Sequence, residues 1–195
     1  MNTTNLAIFA GLIASDGHLD KDYSGIRFIT SNKRFLESIC KLVNVNKFKI
    51  WKTKSGFGKD RYILYIYDQK LKDLLENKYK IPRGKKSEII DIPDGITYNE
   101  KTCFIKGLFS GDGSISYDTK KNKKYPQIIM WSKSKNLLQH IQEFFNKLDI
   151  KCGISCTKAK NQYRLTIRKR NSLQIFKKFI GFVHPEKQKI LNSLT

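Results

Sequence analysis

Acidic side chains are scarce in this chain. Asp and Glu together number 17 among 195 residues, against 38 Lys and Arg, so the formal net charge is +21. A surplus of that size repels itself and disfavours a compact state unless a polyanion neutralises it. Nucleic acid is the partner this implies, ahead of an anionic membrane surface. A separate basic tail is also lacking. Residues 1–95 carry 18 basic and 11 acidic side chains, and residues 96–195 carry 20 and 6. The folded body itself must therefore present the positive surface.

Metal-binding and disulfide patterns are absent as well. The four cysteines, Cys40, Cys103, Cys152 and Cys156, form no Cys-x-x-Cys pair, and no His stands at zinc spacing from them. They are expected to be buried, reduced thiols of a cytosol-like compartment. Nor does the chain hold a spanning segment. The apolar run Leu6–Ala14 is far too short to cross a bilayer, and the first basic residue, Lys21, follows it instead of preceding it. No membrane partner is expected, and the chain is expected to reside inside the cell with its nucleic acid. Low-complexity segments are missing too. An apolar content of 39 % excludes a disordered chain, and the length suffices for two small domains sharing a core.

What is present is a duplication. Phe9-Ala-Gly-Leu-Ile-Ala-Ser-Asp-Gly17 recurs as Ile105-Lys-Gly-Leu-Phe-Ser-Gly-Asp-Gly113. The flanks repeat as well. An extended run Ile26–Ser31 corresponds to Gln127–Ser132. Next come amphipathic helical runs, with Phe35, Leu36, Ile39, Leu42 and Val43 in one and Leu137, Leu138, Ile141, Phe144, Phe145 and Leu148 in the other. Extended runs follow at Lys47–Lys54 and Arg61–Tyr67, and again at Lys151–Lys158 and Gln162–Arg170. Short helices close the halves at Leu71–Asn77 and Leu173–Ile180, with similar tails Lys86–Ile90 and Lys187–Leu191. A first strand is expected near Gly17–Asp22 and Gly113–Tyr117, the former continuing through a turn at Tyr23–Gly25. Each half thus reads helix, two strands, helix, two strands, helix.

The repeated segment is expected to be a helix capped by Thr3, Thr4 or Asn5 in one copy and by Thr97 or Asn99 in the other. Gly17 and Gly113 suit the left-handed position that ends a helix. Gly11/Ser15 and Gly107/Gly111 each put two small residues on one face, where two backbones can approach. Packing the copies together brings Asp16 and Asp112 to the same end. A carboxylate at a helix C-terminus faces the negative end of the dipole, and two together repel further. A divalent cation between them relieves that repulsion and supplies chemistry for a phosphodiester.

These residues resemble the motif of the LAGLIDADG homing endonucleases. The first copy matches six of the nine motif letters and the second four, and the repeat layout extends the likeness over most of the chain. The resemblance implies an α+β fold of two αββαββα repeats, residues 1–90 and 100–195, joined by a linker at 91–99. The motif helices would form the central interface, and two four-stranded antiparallel sheets a saddle over double-stranded DNA. It implies a single-chain, intron-encoded type of enzyme, monomeric and without an obligate protein partner. Such an enzyme cuts both strands across the minor groove, leaving short 3′ overhangs, in a Mg²⁺-dependent reaction. Mn²⁺ is expected to substitute, and Ca²⁺ to support binding without cleavage. Asp16 and Asp112 are the implied catalytic carboxylates and metal ligands, with Ser15 and Gly111 beside them in the metal site. Lys106 departs from the motif's small second residue and is expected at the interface rim. Ala14 and Ser110 replace the motif's earlier Asp, which is not a metal ligand in the family. The family also places a basic or polar residue at the end of each second strand. Lys133 fits; its first-half equivalent is Ser31, Asn32 or Lys33, and Lys33 is added to the catalytic candidates.

Strand alternation separates core from surface. In Gln162–Arg170 the polar face carries Arg164, Thr166, Arg168 and Arg170; in Arg61–Tyr67 the outer face carries Arg61, Ile63, Tyr65 and Tyr67; in Lys47–Lys54 it carries Lys47, Lys49, Trp51 and Thr53. Arg27 and Gln127, on the second strands, join them. Basic and aromatic residues alternating in this way suit a β-ribbon in the major groove. The other reading is binding without cleavage, by an RNA-splicing maturase on its own intron RNA or by a DNA-binding regulator. Loss of a motif carboxylate would favour it; both are present.

Overall fold

The computed structural model describes residues 2–21, 25–54, 60–120, 123–157 and 161–194. The first half comprises α1 (Thr3–Ser15), β1 (Gly17–Leu19), β2 (Gly25–Thr30), α2 (Lys33–Val43), β3 (Phe48–Lys54), β4 (Asp60–Tyr67) and α3 (Gln69–Asn77). The second comprises α4 (Tyr98–Asp112), β5 (Gly113–Lys120), β6 (Lys123–Ser132), α5 (Lys135–Lys147), β7 (Cys152–Thr157), β8 (Gln162–Ile167), α6 (Arg170–Phe179) and α7 (Pro185–Asn192). Each half has one antiparallel four-stranded sheet, ordered β1-β2-β4-β3 and β5-β6-β8-β7. The duplicated αββαββα architecture is therefore as expected. The turn at Tyr23–Ser24 lies outside the described residues.

At the centre, α1 and α4 pack backbone to backbone. Residues Leu6–Ala14 of α1 are buried all round, as befits a helix enclosed by protein. A Cβ on Gly11 would lie 2.0 Å from the Phe104 carbonyl oxygen, and one on Gly107 would lie 2.1 Å from that of Ile8. Ser15 and Gly111 meet one turn later, where a Cβ on Gly111 would fall 2.0 Å from Ser15 Oγ. All four expected interface residues thus lie on the contact. Lys106 is half-exposed, in keeping with a place at the rim.

Several local expectations change. Asn2, one residue before the expected positions, caps α1 through its side chain, which accepts from the Thr4 N–H. Thr97 caps α4 in a capping box with Glu100. Gly113 is extended (φ −75°, ψ 151°), and Gly17 opens β1. Neither has the left-handed conformation. They are glycines because the strand turns back tightly: a Cβ would come within 2.6 Å of Ile13 Cα in one case and 2.4 Å of the Phe109 carbonyl oxygen in the other. The strand expected to run to Arg170 ends at Ile167, and Arg170 opens α6. All four cysteines are free thiols, but Cys152 is half-buried and Cys156 is exposed at the surface of β7.

The second helix of each half covers the inner face of its sheet. In α2 the buried set is Phe35, Leu36, Ile39, Cys40 and Val43; in α5 it is Leu137, Leu138, Ile141, Phe144 and Phe145. Leu64 and Ile66 of β4, with Leu165 and Ile167 of β8, meet them from the sheets. That leaves the opposite face of each sheet for the polar and aromatic residues.

Candidate active site and nucleic-acid face

Asp16 caps the C-terminus of α1, its own N–H donating to the Leu12 carbonyl, and Asp112 ends α4. The close crossing brings the two together. A Cβ on Gly111 would stand 3.2 Å from Asp16 Oδ2. Solvent reaches both side chains, but protein atoms crowd them on the helix side and disfavour the charged form. That desolvation pushes the Asp112 carboxyl up to about 7, and the neighbouring Asp16 charge adds to it, against Lys86 and Lys187. Asp16 is also raised, by burial, with Lys187, Lys86 and His184 opposing.

Lys86 and Lys187 belong to the site, although the sequence shows them only as openers of two similar tails. Lys86 Nζ donates to the carbonyls of Ser15 (3.0 Å) and Gly17 (2.5 Å). Lys187 Nζ donates to those of Ser110 (2.8 Å) and Gly111 (2.5 Å). Each ammonium thus caps one motif helix at its electronegative end and faces both carboxylates. Burial lowers both lysine pKa values, while Asp16 and Asp112 raise them.

A cleft of about 290 Å³ opens beside this centre, between Ser15, Lys86, Asp112, Trp131, Lys133 and Gln162. Lys133 is therefore brought to the site, with Nζ 3.9 Å from Glu88 of the other half. Lys33 is not its counterpart. Asn32 caps α2 as Ser134 caps α5, so Ser31 stands where Lys133 stands. Lys33 lies in the first turn of α2, 3.6 Å from Glu37. The tail of the second half also leans on the first: Asn32 Nδ2 donates to Glu186 Oε1 (2.9 Å), and the Phe35 ring packs at a tilt against His184, centroids 4.5 Å apart.

Two carboxylates meeting at abutting helix ends form a donor set for a hard divalent cation. Among the described residues no group of three His, Cys, Asp or Glu side chains could hold a metal ion. Further oxygen ligands must come from main-chain carbonyls, water or phosphate. The Ser15 and Gly111 carbonyls each already accept from a lysine, and Ser15 Oγ donates to the Gly11 and Leu12 carbonyls.

The outer sheet faces follow the strand register. In the first sheet Arg27 pairs with Tyr65, which pairs with Lys49; Ile29 pairs with Ile63, which pairs with Trp51; Thr53 pairs with Arg61. Tyr65 is fixed by a 2.5 Å hydrogen bond from its hydroxyl to Asp20. Lys47 stands exposed just before β3. In the second sheet Arg164 lies over the Trp131 ring at 5.4 Å, and Arg168 Nε donates to Gln127 Oε1 (3.1 Å). Arg168 lies just past the end of β8. Three expected contacts do not present themselves: Thr166 is only 7 % exposed between Ile129 and Gly153, Gln127 is buried as well, and Arg170 has left the sheet. Lys151 and Lys169, not anticipated, join Arg164 and Arg168 around a surface hollow of about 350 Å³.

A doubled saddle fold with paired carboxylates where its central helices meet defines a class of protein. The chain belongs to the LAGLIDADG family: residues 3–78 and 99–181 match the family described as "LAGLIDADG-like domain". It is 24 % identical over 174 residues to the homing endonuclease I-ApeI of Aeropyrum pernix, covering 85 % of this chain and 75 % of that one. It is 25 % identical over 192 residues, 95 % of this chain, to the replication factor C small subunit of Methanocaldococcus jannaschii, but spans only 10 % of that protein's length. Among solved structures, I-DmoI in complex with DNA and Ca superposes with TM-score 0.63 at 22 % identity, covering 98 % of this chain and 100 % of that one. The N-terminal LAGLIDADG domain of DUF199/WhiA gives 0.60 at 18 % identity, covering 97 % and 87 %. No described helix is long and apolar enough to cross a membrane.

Proposed function

We propose that this chain is a site-specific endonuclease that cuts both strands of a long double-stranded DNA target with Asp16 and Asp112, leaving short 3′ overhangs. The observation that carries this reading is the meeting of two carboxylates, each partly crowded by protein, at the ends of two abutting helices in a chain of net charge +21. Relatives support it: I-ApeI is named a homing endonuclease, and I-DmoI has been solved with DNA and Mn and with DNA and Ca. The duplication supplies two half-site readers in one chain, so a monomer suffices.

A bound Mg²⁺, for which Mn²⁺ substitutes, would neutralise developing phosphate charge and acidify water at the site; Ca²⁺ supports binding alone. Asp16 and Asp112 would hold it. Lys86 and Lys187, held by main-chain carbonyls, keep positive charge beside the scissile phosphates, and Lys133 supplies a third ammonium from the cleft wall. Arg and Lys of the two sheet faces position the duplex.

Binding without cleavage, as in a regulator or a maturase acting on its own intron RNA, has one observation in its favour. Two lysines already face the two aspartates and offset their charge without a metal. The test is to select tightly bound duplexes from a random DNA library and incubate them with the protein in Mg²⁺ and in EDTA. Double-strand cuts within the selected site in Mg²⁺ alone are expected. Selected duplexes that stay intact in Mg²⁺ and Mn²⁺ would establish the binding-only reading.

A further inference from the structure

At one level of the two sheets, directly comparable residues differ in chemistry. β1 pairs Gly17 with Phe28, and β5 pairs Gly113 with Met130, so Ile29 corresponds to Trp131. By the same pairing Ile63 corresponds to Arg164 and Trp51 to Ser155. In the first repeat the row across three strands is thus Ile29–Ile63–Trp51. In the second it is Trp131–Arg164–Ser155. Trp131 also lines the aspartate cleft, and the first row holds the equivalent register position in its own repeat.

The first row is an exposed apolar strip on a strongly basic body. Ile29 is 37 % and Trp51 42 % exposed. Rows that carry basic residues flank it, Arg27–Tyr65–Lys49 in one direction and Arg61–Thr53 in the other. Same-face positions along a strand advance about 6.8 Å, roughly two base-pair steps. Cations at that spacing suit phosphates on both sides of a groove, with the strip on base edges between them. Isoleucine offers no hydrogen bond, so a polar base edge pressed against it goes unpaired, whereas the thymine methyl is apolar and lies in the major groove. In the second repeat, the Arg164 guanidinium lies over the Trp131 ring at 5.4 Å. The ring orients that half-buried guanidinium, and its terminal nitrogens suit the two acceptors of guanine.

We propose which bases these mirror-related positions read: a thymine, by its methyl, at the Ile29–Ile63–Trp51 row, and a guanine at Arg164. The inference rests on DNA being the ligand.

The test modifies the DNA and leaves the protein intact. A duplex selected from a random library is remade with each thymine singly replaced by deoxyuridine, which lacks only the methyl, and each guanine by 7-deazaguanine, which lacks N7. One deoxyuridine in one half-site is expected to weaken binding roughly fourfold, the worth of one buried methyl. One 7-deazaguanine at the mirror position in the other half is expected to weaken it about tenfold. Ile63→Thr should abolish the first effect and Arg164→Ala the second. Selected sites in which deoxyuridine has no effect, or the same effect in both halves, overturn this inference and leave the endonuclease reading standing. Failure to enrich any DNA sequence overturns both.

Discussion

Asp112 and Glu100 are both carboxylates of α4, yet their surroundings push them in opposite directions. Asp112 is raised to about 7 from an ordinary 3.8, first by desolvation and then by Asp16. Folding therefore favours its protonated form, and the charged form costs stability as pH rises from about 4 towards 7. Asp112→Asn removes that cost. In EDTA at pH 8 the variant is expected to melt later than the wild type, by on the order of 1 kcal/mol because solvent reaches the group. The gain should vanish near pH 4; thermal melts at the two pH values check this, and equal melting at pH 8 would contradict it. The readout residues divide by chemistry. Arg164→Ala or Arg168→Ala should relax preference at one or two base pairs, at about 1–3 kcal/mol per lost bidentate contact, whereas Lys47 and Lys49 changes should weaken all sequences alike. A binding profile over single-base variants separates the classes. The two aspartates were legible because the motif occurs twice. The lysines that face them were not, since Lys86 bonds a carbonyl 71 positions away and Lys187 one 76 positions away, a closeness only the fold creates.

At the scale of elements, α4 is anchored at its start and pressed against α1 along its length. The buried Glu100 accepts from the Tyr79 hydroxyl at 3.1 Å, forms the capping box with Thr97, and pairs with Lys78 at 2.5 Å. The Lys78 contact, aided by Thr97 and Tyr79, holds its carboxyl down at about 2 against the effect of burial. Stability from this group is full above its ordinary value of 4.5 and is lost as pH falls towards 2. Glu100→Gln should cost about 3 kcal/mol at pH 7, with the gap to the wild type closing in acid. Denaturant melts at pH 7 and pH 3 measure it; a constant gap would mean the ion pair contributes nothing. Gly107→Ala forces the central helices apart and should cost about 1–3 kcal/mol, whereas nothing lies within 4 Å of a Cβ on Gly153. Periodicity and duplication exposed these elements in the sequence. Their ends were harder, because Arg168 and Arg170 keep a strand-like spacing while the chain has already turned into α6 after Ile167.

The whole molecule is a charged body whose two halves are alike in backbone and unlike in surface. The second half holds 20 basic side chains to 6 acidic, the first 18 to 11. Such a body displaces condensed counterions when it binds DNA. With on the order of 6–10 phosphate contacts, affinity should fall roughly 10³–10⁵-fold between 50 and 200 mM salt, and a nearly flat dependence in a titration would contradict an extended basic interface. The central claim is that one aspartate from each half is needed for double-strand cutting. It is tested most directly by incubating a selected duplex, labelled on both strands, with the wild type, Asp16→Asn and Asp112→Asn in Mg²⁺. The wild type should cut both strands, while each variant still binds the duplex and yields no double-strand product. Full double-strand cleavage by either variant would contradict the claim.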